Sequence, residues 1–461
     1  MQKTVQRSFS RQRVVYGAFF LSIISLFSLV SFAAANTAFW VSDEIFQGVT
    51  VDHVELGGLS KQAARHKLEA VWSDSTLPQG IILVSGDKSI VVSLEEIDFS
   101  ISIDQIIDEA YAVGRKGSFL QQLQDRYLAN NYGKEVLLAA KFNQNKLQLA
   151  VQKAAEAMNQ EPKNATVIMQ NSEVRIVPEK TGQKIDVDKT VNMVEEELQK
   201  HRYVTTALVC DTLTPAILAT DLQSIDGILA SYQTEFNSSD WGRSQNVLLA
   251  AAKINGILVK PDSIFSFNDA VGSRLAELGF QEAPVFVEGK LVPDIGGGVC
   301  QVSSTLYNAI LLADMTVVER STHFSPPSYV PLGLDATVAD NLLDFRFKNT
   351  STTPIYITSE VNGNLLTITV FGKKNVMAPT IEIVSANKKI LEPNVIVKQD
   401  ASLPSGVEKV IEAGQRGYRI STYRIKKINE QEISRELLAT DEFLPTDRVI
   451  LVGTQSAGKT K

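Results

Sequence analysis

Apolar positions form one long run near the N-terminus and many short, regularly interrupted segments in the rest of the chain. Residues 14–35 contain no charged side chain, and such a run is long enough to cross a hydrocarbon core of about 30 Å as a helix. Four basic residues precede the run, and a basic flank normally stays on the cytoplasmic side. The pattern therefore predicts an N-terminal membrane helix, a single pass that leaves the bulk of the chain outside.

A cleaved signal peptide is the alternative for residues 1–35. The small residues at 33–35 follow an apolar core, as at a cleavage site. Either alternative places everything after about residue 36 outside the cytoplasm, anchored to the membrane in the first case and secreted in the second.

The body of the chain alternates strand-like and helix-like patterns, which predicts an α+β multidomain fold. Residues 81–84 and 90–92 are predicted strands, and residues 104–113 form an amphipathic helical pattern. A similar unit recurs around residue 187, and Asp104 and Asp188 are the predicted N-caps of the two helices.

Later segments differ in character, and they suggest the domain boundaries. Residues 213–240 are predicted to be a helical connector, and a helix from Ser244 opens a further α+β domain over 241–373. Residues 374–461 return to strand-like runs with glycines at the turns, which predicts a small, mostly-β C-terminal module. Residues 36–212 form the predicted first outer domain.

Composition narrows the choice of partners. Apolar residues make up 44% and charged residues 21% of the 461 residues, which is ordinary globular usage. The net charge of −7 offers no attraction to phosphate backbones, so nucleic acid is not an expected partner. Residues 453–460 fit a phosphate-loop pattern, but only one residue follows them here, so we expect no helix start and no nucleotide.

The most distinctive chemistry lies in residues 296–301, where three glycines precede Val299, Cys300 and Gln301 and a helical pattern follows. This predicts that Cys300 lies in the first turn of a helix. The N–H groups and the dipole at a helix start favour thiolate over thiol and can stabilise an oxyanion. Residues expected to bind the oxyanion or substrate are Gly297, Gly298, Gln301 and Ser303.

His323 and Asp335 complete a candidate catalytic set. A strand-like run over 316–320 leads to His323, and Asp335 follows. Cysteine before a helix, then histidine and aspartate, is the order found in transglutaminase-like and related cysteine enzymes. In such a set Cys300 would be the nucleophile, His323 its base and Asp335 the group that orients the imidazole.

Each of these residues also has a structural interpretation. Cys300 could form a bridge to Cys210, the other cysteine, or pack as a small buried side chain. His323 could cap a turn before two prolines, and Asp335 could hold a turn after Gly333. The remaining histidines, at positions 53, 66 and 201, lack metal-ligand spacing, so neither a metal nor another cofactor is expected.

Motifs between about residues 241 and 371 resemble the VanW family, which is named from glycopeptide-resistance gene clusters. The resemblance implies a place in the cell envelope and no particular reaction. The motifs are Asn246, Phe265 to Asn268, Gly272, Gly279-Phe280, Gly296 to Gln301, Ser303 to Tyr307, His323, Gly333 to Val338 and Asp344 to Phe347.

The flanking regions resemble two other families. Motifs within residues 40–212 are similar to the peptidoglycan-binding domain that precedes some bacterial L,D-transpeptidases, and the C-terminal region resembles the five-glycine adhesion module. Together the resemblances imply a bacterial envelope protein that binds peptidoglycan or its stem peptide. The VanW-like domain is then a possible cysteine-dependent acyl transferase or amidase for that polymer, and the alternative is a non-catalytic wall-binding scaffold or adhesion protein.

Overall fold

The computed structural model describes residues 42–73, 80–138, 140–287 and 290–455. Residues 14–35, where the sequence predicts a membrane helix or signal, lie outside these ranges. Among the helices within them, none combines the length and the apolar composition needed to cross a membrane.

Helices and strands alternate through the first half of the described chain, and strands dominate its C-terminal part. The helices are α1 Lys61–Ser73, α2 Ile103–Ala112, α3 Phe119–Tyr132, α4 Gln144–Met158, α5 Val187–Leu198, α6 Ala219–Leu222, α7 Trp241–Ile254, α8 Phe267–Val271 and α9 Val299–Leu312, with a 3-10 turn at Ala276–Leu278. The strands up to the Cys300 helix are β1 Val49–Val51, β2 Val54–Glu55, β3 Gly80–Ser85, β4 Lys88–Ser93, β5 Lys134–Glu135, β6 Thr166–Gln170, β7 Glu173–Val177, β8 Gly182–Ile185, β9 Val204–Ala207, β10 Cys210–Leu213, β11 Gly227–Glu235, β12 Ile257–Val259, β13 Ile264–Ser266, β14 Glu282–Val287 and β15 Lys290–Ile295. The later strands are β16 Thr316–Glu319, β17 Arg346–Lys348, β18 Ile355–Asn362, β19 Leu365–Gly372, β20 Thr380–Leu391, β21 Val395–Pro404, β22 Glu408–Glu412, β23 Gly417–Ile428, β24 Gln431–Phe443 and β25 Arg448–Gln455.

The chain forms two compact units. The first contains the described chain up to Glu161 together with Gly182–Leu213, and the second contains Pro162–Thr181 and the chain from Thr214 onward. The β6–β7 hairpin therefore belongs to the second unit, whereas the sequence places it in a domain ending at residue 212. Its Ala165 and Val167 pack with Ile217 and Phe371 of the second unit, and this buried apolar contact accounts for the assignment.

The first unit has two apolar cores. One contains residues of β1, α1 and α2, and the other contains residues of β3, α4, α5 and β9. The strand orders are β2-β1-β5, β4-β3-β9 and β10-β8. The strands predicted at 81–84 and 90–92 and the helix predicted at 104–113 are all present.

The two predicted N-caps of the first unit are wrong by two residues. The side chain of Ser102 accepts from the N–H of Gln105, and that of Asp186 accepts from the N–H of Lys189. Asp104 and Asp188 lie instead in the first helical turn, where a carboxylate still interacts favourably with the helix dipole.

The predicted helical connector over 213–240 is wrong for most of its length. A single turn, α6, is followed by the nine-residue strand β11, which pairs antiparallel with β19 along its whole length. Sheet pairing with a segment distant in sequence outweighed the local helical pattern here.

The second unit is built around the helix that carries Cys300. The four-stranded sheet β11-β19-β18-β12 packs with α7 and α9 in one apolar core, which the three-stranded sheet β13-β17-β16 also joins. Nearly every residue from 299 to 311 of α9 is buried, and Cys300 is the one residue of that stretch that is partly exposed. Helix α7 is capped by Asp240. It therefore begins before Ser244, the residue at which the sequence predicts its start.

The C-terminal module consists of two three-stranded sheets, ordered β20-β23-β24 and β21-β25-β22. Strand β23 pairs antiparallel with both β20 and β24, while β21 pairs parallel with β25. This confirms the predicted mostly-β C-terminal region. The strands of the first sheet are 12 or 13 residues long, longer than the short runs that the sequence suggested.

Asn246 on α7 holds the glycine turn that precedes α9. Its side chain donates to the carbonyls of Gln281 and Gly297, both at 2.9 Å, and accepts from the N–H of Gln281 at 2.7 Å. Asn246 is fully buried, so water cannot replace these hydrogen bonds.

We expect Asn246→Ala to lower the free energy of unfolding of the second unit by about 2–4 kcal/mol, because buried main-chain groups lose their partners. Urea unfolding of the full chain measures the change. Asn364→Ala is the matched control, since Asn364 is exposed and its side chain makes one bond, to Glu235. Equal stability of the two variants would contradict this prediction.

Candidate active site

Cys300 lies in the first turn of α9, as the sequence predicts. Gly298 is the N-cap and adopts a φ of 110°, in the region that favours glycine. The Cys300 thiol donates to the carbonyl of Val338 at 3.4 Å. Within the part of the chain that the structure describes, the main-chain N–H of Cys300 donates to no protein group. An unused donor at a helix start is suited to a developing oxyanion next to the sulfur.

His323 and Asp335 form a short, buried hydrogen-bonded pair. The Nδ1 atom of His323 lies 2.6 Å from Oδ2 of Asp335, and the His323 main-chain N–H donates to the same oxygen at 2.7 Å. The Asp335 side chain is 1% exposed and that of His323 is 12% exposed. Main chain and ring are thus fixed by one carboxylate oxygen, which turns Nε2 away from Asp335.

The thiol and the imidazole interact, and each changes the pKa of the other. Burial by itself would raise the pKa of the Cys300 thiol, but its interaction with His323 and the hydrogen bond to Val338 outweigh burial and hold the pKa below its usual range. Burial would lower the pKa of His323, but Asp335 and Cys300 raise the pKa of His323 to about 9. Both shifts favour a thiolate and imidazolium pair near neutral pH.

Arg320 supports Asp335 from the side opposite His323. Its Nη2 donates to Oδ1 of Asp335 at 3.0 Å, and its Nε donates to the Asp335 carbonyl at 2.6 Å. Burial by itself would raise the pKa of the Asp335 carboxyl, but the hydrogen bond from His323 and the charge of Arg320 hold it below its usual range. Asp335 therefore stays ionised and can stabilise the imidazolium.

The C-terminal module contributes directly to this support. Nη1 of Arg320 forms an ion pair with Asp441 on β24, and both side chains are 7% exposed. On the same face, Thr422 of β23 donates to the carbonyl of Gly333, two residues before Asp335. A chain of polar contacts thus runs from the module through Arg320 to the His323 ring.

Tyr329 closes the other side of the imidazole. Its hydroxyl lies 3.4 Å from Nε2 of His323, and the two rings meet edge to face with their centroids 6.4 Å apart. Burial and the charge of Cys300 raise the pKa of Tyr329, so the phenol stays protonated. The neutral hydroxyl lies next to the ring nitrogen expected to transfer the proton.

Four residues predicted to bind the oxyanion or substrate are buried, and packing accounts for them. An added Cβ at Gly297 would lie 2.8 Å from the carbonyl oxygen of Pro284, and one at Gly298 would lie 3.0 Å from Cγ of Arg243. Ser303 is completely buried and donates to the carbonyl of Ala336. These close contacts explain why the three positions carry small residues. The contacts by themselves assign no substrate-binding role to those residues.

Gln301 is also occupied by the fold. Its Oε1 accepts from Arg243 at 2.8 Å, and its Nε2 donates to Thr234 and to the carbonyl of Glu235. Its main-chain N–H donates to Gly298. Both polar ends of the Gln301 side chain thus already have protein partners, and the oxyanion role expected for it stays a prediction.

Both cysteines are free thiols, so the bridge between Cys210 and Cys300 is not formed. The interpretation of Cys300 as a sealed packing residue does not fit its partial exposure and its interaction with His323. His323 and Asp335 also do more than hold separate turns, since they are bonded to each other.

Sequence reasoning missed the residues that support the pair. Arg320 precedes His323 by three positions in the sequence. Its basic side chain was the one sequence signal that could have indicated a partner for Asp335. Ser304 accepts from the N–H of Ala336 at 2.9 Å. It lies in the motif Ser303 to Tyr307, but the sequence assigned it no role. Asp441 had no local signal, because only the docking of the C-terminal module brings it to Arg320.

Family models match three successive parts of the chain. The model described as "Putative peptidoglycan binding domain" matches residues 90–205, the VanW like protein model matches 242–371, and the G5 domain model matches 381–455. The second match contains Cys300, His323 and Asp335. This chain carries a VanW-like domain. It is preceded by the peptidoglycan-binding match and followed by the G5 match, in the order that the sequence predicts.

Two curated relatives support the assignment of the VanW-like domain. Uncharacterized protein YoaR of Bacillus subtilis is 41% identical over 162 residues, which are 35% of this chain and 54% of that protein. Vancomycin B-type resistance protein VanW of Enterococcus faecalis is 33% identical over 109 residues, 23% of this chain and 40% of that protein. The chain spans about half the length of these relatives, or less.

A solved IgA1 protease G5 domain is also similar to part of the chain. It is 23% identical, covers 17% of this chain and 93% of that domain, and has a TM-score of 0.15. At this TM-score the similarity carries no argument about the fold.

If His323 stabilises the Cys300 thiolate in the VanW-like domain, thiol alkylation will show it. In a Cys210→Ser background, we expect iodoacetamide to react with Cys300 with an apparent pKa below the reference of about 8.5. His323→Ala should raise that pKa and slow the reaction at pH 6.5 about tenfold, because the thiolate fraction falls. His66→Ala, at an exposed histidine, is the control. An unchanged pH profile in His323→Ala would contradict the pair.

Support from the G5-matched module is testable in the same assay. Asp441→Asn removes the charge partner of Arg320, so we expect slower alkylation at pH 6.5 and a loss of about 1.5–3 kcal/mol in stability. Glu442→Gln is the matched control, since this neighbour is exposed and pairs with Arg419. A stability loss without any change in the alkylation profile would show that Asp441 does not act on the thiol.

Proposed function

We propose that the VanW-like domain is a cysteine-dependent acyl transferase or amidase that acts on the peptide part of the cell wall. The observation that carries this proposal is the 2.6 Å contact between His323 Nδ1 and Asp335 Oδ2, on an imidazole that interacts with the Cys300 thiol. Cysteine, histidine and aspartate follow one another in the order expected for a nucleophile, its base and an orienting group.

The chemistry follows from the thiolate and imidazolium pair. The Cys300 sulfur attacks the carbonyl carbon of an amide, and the oxyanion forms near the free N–H of Cys300. As the C–N bond breaks, Nε2 of His323 gives its proton to the leaving nitrogen, which departs as an amine, and a thioester remains. Water or an acceptor amine then attacks the thioester carbonyl, His323 takes up the proton of that nucleophile, and the thiolate is released.

The choice between hydrolysis and transfer depends on which nucleophile reaches the thioester. Both outcomes use the same residues, so we propose the pair of reactions as one class. The Tyr329 hydroxyl, 3.4 Å from Nε2, is placed to orient the imidazole between the two half-reactions.

The wall as substrate is supported by the matches on both sides of the VanW-like domain. We propose that the first unit binds peptidoglycan, since residues 90–205 match the peptidoglycan-binding model. The protein would then work at the bacterial cell envelope, outside the cytoplasm, because peptidoglycan lies there. The N-terminal anchor or signal predicted from the sequence agrees with this location. The stem peptide is the part of the polymer that contains amide bonds in series.

The test uses the full chain with purified sacculi and with soluble wall-derived peptides. We expect the unsubstituted chain to release or exchange amines, and mass spectrometry measures these products. Cys300→Ala should lower turnover at least about 10³-fold, as loss of a covalent nucleophile does. Retention on sacculi should be unchanged in Cys300→Ala, because binding is assigned to the first unit. Cys210→Ala is the matched control and should keep both properties.

The outcomes separate the two classes of function. Retention on sacculi with no turnover by the unsubstituted chain, and no effect of Cys300→Ala on any wall peptide, would contradict catalysis and favour a non-catalytic scaffold. Loss of retention in the unsubstituted chain would contradict wall binding while leaving the Cys300 chemistry to stand on the peptide assay.

A further inference from the structure

Two histidines of the first unit that are distant in sequence lie side by side. The rings of His53 and His201 stack with centroids 4.3 Å apart and an interplanar angle of 18°. Glu135 joins them, and one ligand atom from each of the three residues lies within 4.8 Å of the others. These residues lie together in the fold although their spacing along the chain is not that of metal ligands. We propose that His53, His201 and Glu135 form a binding site for one divalent zinc ion.

The three ligands come from three separate segments of the unit. His53 is the second residue of the two-residue turn between β1 and β2, and Glu135 lies on β5, which pairs in parallel with β1. His201 follows α5 and precedes β9. Both turn residues, Asp52 and His53, have positive φ, at 45° and 63°.

Asp52 supplies the outer contact that a metal-binding histidine requires. Its Oδ1 lies 3.3 Å from Nδ1 of His201, which leaves Nε2 of that ring as the nitrogen able to coordinate an ion. A carboxylate behind the imidazole fixes the tautomer and raises the basicity of the ligand nitrogen. The Asp52 side chain is 8% exposed, so it is held in place by its surroundings.

The donor set and the charge fit zinc. Two imidazoles and one carboxylate are a common three-ligand set for Zn²⁺, with water in the fourth position. Bonds of about 2.0–2.1 Å in a tetrahedron place ligand atoms about 3.4 Å apart, so the ligands must move closer by little more than 1 Å. His53 and Glu135 are exposed.

Two basic residues lie nearby, and each has an acidic partner. Arg202 shares Asp52 with His201, its Nε lying 3.5 Å from Oδ2 of Asp52. Lys200 pairs with Glu197 at 2.9 Å. Glu135 and Asp52 offer two carboxylates against the one guanidinium of Arg202, and this balance favours a cation.

An ion at this place would join the two cores of the first unit. His53 and Glu135 belong to segments that pack in the core around β1, whereas His201 lies between Leu198 and Val204 of the other core. Zinc would thus cross-link segments almost 150 residues apart in sequence, and it would stabilise the unit by binding only the folded chain. This role is independent of the Cys300 site.

The experiment titrates zinc into the EDTA-treated and dialysed full chain and follows heat of binding, bound metal per chain and Tm. We expect one Zn²⁺ per chain and a rise in Tm with zinc concentration. His53→Ala and His201→Ala should each weaken binding at least tenfold, and Asp52→Asn should weaken it about 10–100-fold as an outer-shell change. His66→Ala is the matched control, because His66 is an exposed histidine of the same unit that lies 3.9 Å from Glu69 and does not belong to the three-residue cluster.

A Cys300→Ala, Cys210→Ala background removes both thiols, so any zinc retained there is not bound by sulfur. Circular dichroism in EDTA shows whether each variant folds, and the exposed position of His53 keeps at least one variant interpretable. The absence of binding to the unsubstituted chain would overturn the proposal. So would equal affinity of His53→Ala and His66→Ala, since the metal would then be bound elsewhere.

Discussion

The buried carboxylate of Asp335 is the group on which the rest of the candidate site depends. A charge with 1% side-chain exposure is costly to bury unless each lone pair finds a donor. The donors here come from the guanidinium of Arg320, the hydroxyl of Thr322, and both the ring and the main chain of His323. Satisfying that one charge fixes the course of residues 320–323, and the direction of the imidazole follows.

The same constraint gives the C-terminal module a role in the site. Arg320 must itself be neutralised in a buried place, and Asp441 of β24 supplies the second carboxylate. A second ion pair, between Arg424 of β23 and Asp314 after α9, lies at the same boundary. The Arg320–Asp441 pair is buried, and losing one partner of such a pair is costly, which ties the geometry of the VanW-like domain to the presence of the module. The six-stranded module is therefore part of the support of the imidazole as well as a separately recognisable domain.

The other half of the site rests on α9 and on its glycine turn. Asn246 holds the turn, the buried face of α9 fills the core, and Ser304 ties the helix to the segment of Asp335 through the N–H of Ala336. Cys300 is thereby held partly exposed at the one end of the helix where dipole and free N–H favour a thiolate. Contacts of α9 with Ala336 and Val338 thus link the segment that carries Cys300 to the segment that carries Asp335.

Local sequence signals determined much of this protein. Glycines before an apolar helical pattern predicted that Cys300 lies at a helix start, and the strand-like run over 316–320 predicted the approach to His323. Periodicity also predicted the strands at 81–92, the helix at 104–113 and the β-rich C-terminal region. These features follow from neighbours in the chain, so a single sequence contains the information for them.

Long-range contacts decided the rest, because they depend on which segments meet after folding. Pairing with β19 made β11 a strand where the local pattern suggested a helix. Buried partners took up both ends of Gln301, the docked module brought Asp441 to Arg320, and the β1–β2 turn brought His53 to His201. No spacing along the chain encodes such encounters, since burial and hydrogen bonding are satisfied only in the assembled fold.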